Sequence, residues 1–339
     1  MRPTITDIAK KAGVSKATVS RVLNKRSDGV GAETRRRVER LITQMDFEPC
    51  GAARSLATGK SRSIGLVIPD IADPFCPLLI RGIEDALRSR SYGLFLCDSD
   101  QDIHKEKENL RILLEKRVDG VILSSTMSDC DSQLRLLEKR EVPFVLLDRI
   151  IEARPGVAGV YADNRKGARM AAEHLLAGGA RRLLFINGPE MLSVSKLRRV
   201  GFEGGCAAAG LEPSSILHAS GDYSVESGEL AAGTVLDAGG GRAPFDAVFA
   251  ACDRMAIGAL RALKRRGFDV PRDIEVVGFD DVEPAGLVDP PLTTIAQPAF
   301  EMGRSGASLL LRLIDGERPR SRIKILEPTL VVRGTTRPR

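Results

Sequence analysis

Strand-length apolar runs alternate with helix-length amphipathic runs along most of this 339-residue chain, beginning at Ile64. A first block predicts strands at 64–68, 93–97, 121–123 and 144–147, with helices at 75–90, 106–116 and 133–139. A second block predicts strands at 159–161, 182–186, 247–250 and 274–278, with helices at 166–176, 197–208, 226–236 and 255–266. Such alternation is typical of parallel sheets covered by helices, and two blocks predict two lobes.

The positive charge of the chain is concentrated at its N-terminal end. Residues 1–60 contain 13 Lys or Arg and 6 Asp or Glu, a net charge of +7, whereas the whole chain carries +6. The rest of the chain is therefore close to neutral. This asymmetry indicates a polyanionic partner for the N-terminal segment, because an ordinary solvated surface mixes both signs of charge.

The basic segment has the pattern of a helix-turn-helix. Thr4 and Asp7 are spaced to cap the start of one helix, and Gly13 ends that helix. Ser15 can cap a second helix from residue 16 to about 24, with Val19 facing inward. A third amphipathic helix is predicted at about 32–45. Two short helices joined by a glycine-containing turn are typical of DNA-binding heads.

Several function classes lack their sequence signals. The six cysteines are scattered and have no histidine at metal-ligand spacing, so we expect no metal site and a reducing, cytoplasmic location. The N-terminus is polar and no apolar run reaches 18 residues, which predicts a chain that is neither exported nor membrane-spanning. Gly59-Lys60-Ser61 lacks the upstream glycine of a P-loop. The three histidines are isolated, so we expect no catalytic site and no cofactor.

Two segments carry a family resemblance: TITDIAKKAGVSKATVSRVLN at 4–24 and ACDRMAIGALRAL at 251–263. Both resemble the LacI/GalR (lactose repressor) family of bacterial transcription regulators, and the similarity runs through essentially the whole chain. It implies an all-α helix-turn-helix head and an α/β sensor of two doubly wound, parallel-sheet lobes like those of periplasmic binding proteins. It also implies a sequence-specific repressor, not an enzyme, whose operator affinity is controlled by a small molecule bound between the lobes.

The resemblance implies three parts: a helix-turn-helix domain at 1–48, a hinge helix and linker at 49–60, and a ligand-binding and dimerisation domain at 61–339. The first lobe of that domain would comprise about 61–158 and 293–322, and the second about 159–292 and 323–339. We expect a homodimer on a palindromic operator in double-stranded DNA, because a single head makes too few contacts.

The resemblance places the second helix of the head in the major groove. Lys16 and Arg21 would donate to guanine, whereas Ala17 could contact only a thymine methyl group. In the hinge, Leu56 matches leucines that open a base step from the minor groove, and Cys50 replaces a polar cap. The predicted DNA-binding residues are Ser15, Lys16, Ala17, Thr18, Ser20, Arg21, Asn24, Arg54 and Leu56.

Polar residues follow several predicted strands, among them Asp70, Asp73 and Asp98. Ligands bind beyond the carboxyl ends of parallel strands, but aspartates there also cap the following helices, and the pattern leaves both open. The family resemblance selects the effector-binding residues Phe75, Asp148, Arg198, Tyr223, Cys252, Asp280 and Gln297. Cys252 departs from the family, where many members have asparagine.

We expect the effector to be a sugar or sugar acid, because a guanidinium such as Arg198 can bind paired hydroxyls or a carboxylate. A purine or another small metabolite is the alternative. A solute-binding receptor would share the two lobes, but the basic head argues against it. An enzyme on the same fold is the other rival class, because a fold does not dictate function.

Overall fold

A computed structural model of the chain describes residues 3–23, 29–47, 59–125, 131–149, 157–240 and 242–338. The chain divides into two compact units, Met1–Arg62 and Ser63–Arg339. The predicted hinge, with Cys50, Arg54 and Leu56, lies almost wholly outside the described residues, as does Asn24.

The N-terminal unit contains three helices around a small apolar core. They are α1 (Ile5–Ala12), α2 (Lys16–Leu23) and α3 (Ala32–Gln44). Helix α1 begins with a reciprocal cap, in which the Thr4 amide donates to Asp7 at 2.8 Å and the Asp7 amide donates to the Thr4 hydroxyl at 3.4 Å. It ends at Gly13, whose φ of 66° is a left-handed conformation that glycine adopts without strain. The fully enclosed core residues are Ile8, Ala9, Ala12, Val19, Val22 and Val38.

The larger unit contains two six-stranded sheets. The first sheet has the order β11-β5-β4-β3-β1-β2. Its strands are β1 (Ser63–Ile68), β2 (Gly93–Asp98), β3 (Gly120–Leu123), β4 (Phe144–Leu147), β5 (Gly159–Ala162) and β11 (Ile323–Leu326). All are parallel. This sheet and the helices on it form the first lobe. The helices are α4 (Cys76–Arg88), α5 (Ile103–Glu115), α6 (Asp131–Lys139) and α12 (Ala299–Ile314).

The second sheet has the order β12-β10-β9-β8-β6-β7. Its strands are β6 (Leu183–Asn187), β7 (Ile216–Ser220), β8 (Ala247–Ala250), β9 (Glu275–Asp280), β10 (Thr293–Ala296) and β12 (Thr329–Val331). Only β12 runs antiparallel to its neighbour. The second lobe is completed by α7 (Asn164–Ala177), α8 (Ser193–Ala208), α9 (Val225–Ala238), α10 (Asp253–Arg265) and the short α11 (Glu283–Leu287). None of the described helices is long and apolar enough to cross a membrane.

The predicted lobe boundaries are wrong at three strands. Strand β5, which the family resemblance placed in the second lobe, pairs with β4 in the first sheet, and β11 also belongs there because Ile323 pairs with Gly159. Strand β10, placed in the first lobe, pairs with β9 of the second sheet. The chain therefore crosses between lobes after Ala162, Ala296 and Leu326. Periodicity identifies a buried strand but does not say which neighbour it pairs with, so it did not locate the crossings.

The second lobe contains a cluster of stacked phenylalanine rings beside two closely packed helices. The rings of Phe185, Phe202 and Phe249 stack with centroids 4.8–5.4 Å apart. Phe202 lies on α8, which packs against α7 with Gly201 at the contact. A Cβ atom at Gly201 would lie 2.1 Å from the carbonyl oxygen of Arg165 in α7, so this position requires glycine.

Two glycines of α8 provide a matched test of this packing. We expect Gly201→Ala to lower the free energy of unfolding by about 1–3 kcal/mol, because the new methyl group forces the helices apart. Gly204→Ala faces open space and should be neutral or stabilise by up to about 1 kcal/mol, as alanine favours a helix more than glycine does. Chemical denaturation measures both changes, and equal effects would contradict the packing argument.

Candidate functional site

A cleft lies between the two lobes of the larger unit, at the carboxyl ends of several parallel strands. All seven predicted effector-binding residues line it: Phe75, Asp148, Arg198, Tyr223, Cys252, Asp280 and Gln297. The structure adds five residues that the prediction left out: Asp73, Arg149, Val194, Arg254 and Val282. Four groups from the first lobe and several from the second thus meet in one place, as parallel sheets facing each other require.

Arg198 is the most deeply buried charge of the cleft, with 4% of its surface exposed. Its Nε donates to the side-chain oxygen of Asn164 at 2.7 Å, and Nη1 donates to the carbonyl oxygen of Ala251. Nη2 lies 3.3 Å from Asp280, and the guanidinium carbon lies 3.8 Å from the centre of the Phe279 ring. Helix α7, strand β9 and the residue after β8 therefore hold the guanidinium of α8 in a fixed orientation.

Asp280 ends β9 with a φ of 116°, a backbone conformation that residues other than glycine rarely adopt. Burial raises the pKa of its carboxyl well above the ordinary range, an effect that Arg198 opposes. Gln297 donates from Nε2 to Asp280 at 2.7 Å. This bond leaves the Gln297 Oε1 atom buried and without a hydrogen-bond partner.

Tyr223 and Cys252 also line the cleft from the second lobe. The Tyr223 hydroxyl lies 2.6 Å from the Ser195 hydroxyl, and its backbone φ is 71°. Cys252 caps α10, because its sulfur accepts from the Met255 amide at 3.4 Å. Burial raises the pKa of the Cys252 thiol well above its ordinary value, so the thiol stays neutral. The cysteine that departs from the family pattern thus retains a capping role.

Asp253 is a positioning residue that the sequence prediction did not select. It is fully buried behind the cleft. Its carboxylate accepts from the Val282 amide at 2.9 Å and from the Thr294 hydroxyl at 2.5 Å. These bonds tie the start of α10 to the segment that follows Asp280. Burial raises the pKa of Asp253 to about 7, because desolvation disfavours the ionised carboxylate.

The first lobe contributes Asp148 and Arg149 at the end of β4. Arg149 donates from Nη1 to the carbonyl oxygen of Ser125 at 2.9 Å, and its Nε lies 4.0 Å from an Asp148 oxygen. The Asp148 Oδ1 atom and the Arg149 Nε atom are buried without a hydrogen-bond partner. Asp73 lies beside them and accepts from the Phe75 amide at 3.0 Å.

One ion pair spans the cleft directly. Arg254, in the first turn of α10, lies 3.5 Å from Asp70, which follows β1. Asp98 and Asp281 also lie at strand ends but do not line the cleft: Asp98 accepts from the Asp100 amide in its own turn, and Asp281 pairs with Arg333 at 2.6 Å. Among the described residues no cluster of acidic, cysteine or histidine side chains could hold a metal ion.

The N-terminal unit exposes the predicted base-reading face of α2. Lys16, Ala17 and Arg21 are exposed, whereas Val19 and Val22 are buried on the opposite face. The Ser15 hydroxyl accepts from the Thr18 amide at 3.1 Å and caps the helix. Ser15 is also exposed, and Thr18 and Ser20 are partly exposed. The helix therefore presents donors and one methyl group on one surface.

Comparison with known proteins identifies the family. Residues 4–50 match the bacterial regulatory proteins of the lacI family, and residues 172–336 match the periplasmic binding protein-like domain. The ribose operon repressor of Halalkalibacterium halodurans is 36% identical over 335 residues, which cover 98% of this chain and 97% of that protein. The chain belongs to the LacI family.

Solved structures agree with this assignment. A lac repressor dimer bound to operator and the anti-inducer ONPF matches with a TM-score of 0.88 at 29% identity, covering 99% of each chain. A complex of the transcriptional regulator CelR with cellobiose matches with a TM-score of 0.76 at 34% identity, covering 98% of this chain and 100% of that one. The predicted family and fold class are confirmed, as is the prediction of a DNA-binding regulator rather than an enzyme.

The raised pKa of Asp253 predicts a pH-dependent stability. The folded state binds this proton more tightly than the unfolded state, so the group favours folding at low pH, and this contribution is lost as the pH rises from about 4 to about 7. Between pH 5 and pH 8, Asp253→Asn should therefore gain about 3 kcal/mol of stability relative to the wild type. Denaturation at pH 5 and pH 8 measures the difference. Asp85→Asn, at an exposed position of α4, is the control. A pH-independent difference for Asp253→Asn would contradict the assignment.

Proposed function

We propose that this LacI-family protein is a repressor whose operator affinity is controlled by a sugar or sugar acid bound in the cleft between its lobes. The observation that carries the proposal is a set of buried polar atoms, on residues that line the cleft, that have no hydrogen-bond partner: Asp148 Oδ1, Arg149 Nε and Gln297 Oε1. Such atoms are costly in a folded protein, and a polar ligand would satisfy them.

The surroundings of these atoms support a sugar. Phe75 and Tyr223 offer aromatic surface from opposite lobes, and Arg198 directs its guanidinium into the cleft. Sugar rings bind through a few well-placed polar groups and an apolar wall. Two similar proteins are named for such ligands: a ribose operon repressor and a regulator solved with cellobiose. We expect the sugar to favour an arrangement in which the two lobes close on it. Operator affinity then changes only to the extent that the sugar binds this closed arrangement more tightly than the open one.

The exposed face of α2 supports the DNA-binding half of the proposal. Lys16 and Arg21 would donate to base edges and Ala17 would contact a thymine methyl group. Ser15, Thr18 and Ser20 would bind nearby phosphates and bases, together with Asn24. In the hinge, Arg54 and Leu56 would bind the minor groove and open its central step.

Substitutions at the two sites should separate the two activities. A thermal-shift screen of aldoses, aldonates and purine nucleosides first selects the compound that most stabilises the protein. Arg198→Ala should then abolish the effect of that compound on operator binding, while Lys16→Ala should alter operator preference and keep the thermal shift. Each variant is the control for the other in a gel-shift titration.

Arg198→Ala also leaves Asp280 buried without its cation, which costs about 3–5 kcal/mol, so Arg198→Lys is a second variant that keeps the charge. A folded Arg198 variant that retains the full response would refute the pocket assignment, and stabilisation by purine nucleosides alone would refute the sugar. If Lys16→Ala left the operator preference unchanged, residues other than Lys16 would have to read the bases.

We further propose a homodimer on a palindromic operator. Two large apolar side chains of the second lobe support it, since Leu230 is 72% exposed and Leu287 is 76% exposed. Strand β2 at the edge of the first sheet also exposes Phe95. Sedimentation at micromolar concentration should give twice the chain mass of 36.6 kDa. A stable monomer would contradict the dimer.

A further inference from the structure

We infer that the cleft selects a neutral, hydroxyl-rich effector over carboxylates and phosphates, and that Asp73 and Asp148 of the first lobe impose this selection. The inference rests on the proposed function, because it specifies the charge of the ligand at the same site. Two independent features of the cleft support it: the balance of its charges, and the kind of hydrogen-bonding atoms that lack partners.

The arginines of the cleft offer an anion little unbalanced charge. Arg198 lies 3.3 Å from Asp280 and makes two further hydrogen bonds inside the second lobe. Arg254 lies 3.5 Å from Asp70 across the cleft. Arg149 lies 4.0 Å from Asp148 and donates to a carbonyl oxygen. Every guanidinium at the cleft therefore already has a carboxylate beside it.

Asp73 adds a fourth carboxylate to these three pairs. It accepts a hydrogen bond from the Phe75 amide, and no described ion pair includes it. Four carboxyl groups therefore lie in or beside the cleft with three guanidiniums, and each guanidinium already has a carboxyl neighbour. A neutral ligand needs no counter-charge, whereas a carboxylate or phosphate would have to compete with these carboxyl groups for the three guanidiniums.

The pKa shifts of the aspartates at the cleft indicate how this environment would affect the charge of an anionic ligand. Burial raises the pKa of Asp73; the Phe75 amide and Arg254 oppose this shift, and Asp148 and Asp70 add to it. Burial also raises the pKa of Asp280 despite the adjacent Arg198. A ligand carboxylate at the same depth would meet the same desolvation and the same neighbouring charges.

The unpartnered atoms favour a ligand that donates hydrogen bonds. Asp148 Oδ1 and Gln297 Oε1 are acceptors, and the orientation of the Gln297 amide is set by its bond to Asp280. Arg149 Nε is a donor. Sugar hydroxyls both donate and accept, so a polyol can satisfy all three atoms. A carboxylate or phosphate group provides acceptors and would leave both protein acceptors unsatisfied.

Charge-matched ligand pairs test the inference. D-ribose is compared with D-ribonate, D-glucose with D-gluconate, and adenosine with adenosine monophosphate, each at several concentrations and constant ionic strength, by thermal shift and calorimetry. We expect the neutral member of any pair that binds to have a dissociation constant at least about tenfold below that of its anionic partner, equivalent to about 1.4 kcal/mol. An anion that binds as tightly as its neutral partner, or more tightly, overturns the inference.

Variants of the first lobe test the assigned residues. Asp73→Asn preserves the shape of the side chain and its bond to the Phe75 amide but removes one negative charge. It should reduce the preference for the neutral ligand by about tenfold, and Asp148→Asn is a second variant. Asp85→Asn removes the same charge from an exposed position of α4 and should leave the preference unchanged. Equal effects of Asp73→Asn and Asp85→Asn would overturn the assignment.

The pairs also separate this inference from the proposed function. If only the nucleoside pair binds, the proposed sugar is wrong, while the ratio within that pair still decides the charge selection. If an aldonate binds and its aldose does not, the proposed sugar or sugar acid stands and the charge selection is wrong.

Discussion

Arg198 is a cation held inside the second lobe by Asp280, Asn164, the carbonyl oxygen of Ala251 and the face of Phe279. Asn164 begins α7, Ala251 follows β8, and Phe279 and Asp280 end β9, so the guanidinium fixes these three elements against α8. A buried ion pair is costly to form and still more costly to break, because a lone charge would remain. The geometry of the cleft therefore depends on this one side chain.

The two lobes make different contributions to the cleft around Arg198. The second lobe provides a rigid wall, in which Asp253 fastens the segment after Asp280 and Cys252 caps α10. The first lobe provides Asp148 Oδ1 and Arg149 Nε, two buried polar atoms that have no hydrogen-bond partner. A ligand that satisfies atoms of both lobes must stabilise the arrangement in which they are close. This is how a small molecule can favour one lobe arrangement over another.

The sequence located nearly every helix and strand, because apolar periodicity is a local signal, and the seven residues that the family resemblance selected all line the cleft. The selected residues did not include Arg149 and Arg254, and the sequence pattern left open whether Asp73 binds ligand or caps a helix. An aspartate after a strand has several uses: Asp98 closes a turn, Asp281 pairs with Arg333, and Asp73 faces the cleft. The local sequence pattern is the same at all three aspartates, so only the packing of the folded chain distinguishes their roles.

What the sequence determined by itself was the basic helix-turn-helix head, the two βα blocks and the residue types that meet in the cleft. Caps, glycine stops and apolar spacing depend on near neighbours, and they fix each helix and strand. The tertiary structure decided which sheet receives β5, β10 and β11, and so where the chain crosses between lobes. It also decided that each arginine of the cleft has a carboxylate beside it. Strand pairing and charge balance join residues far apart in the chain, so neither is encoded in any single segment.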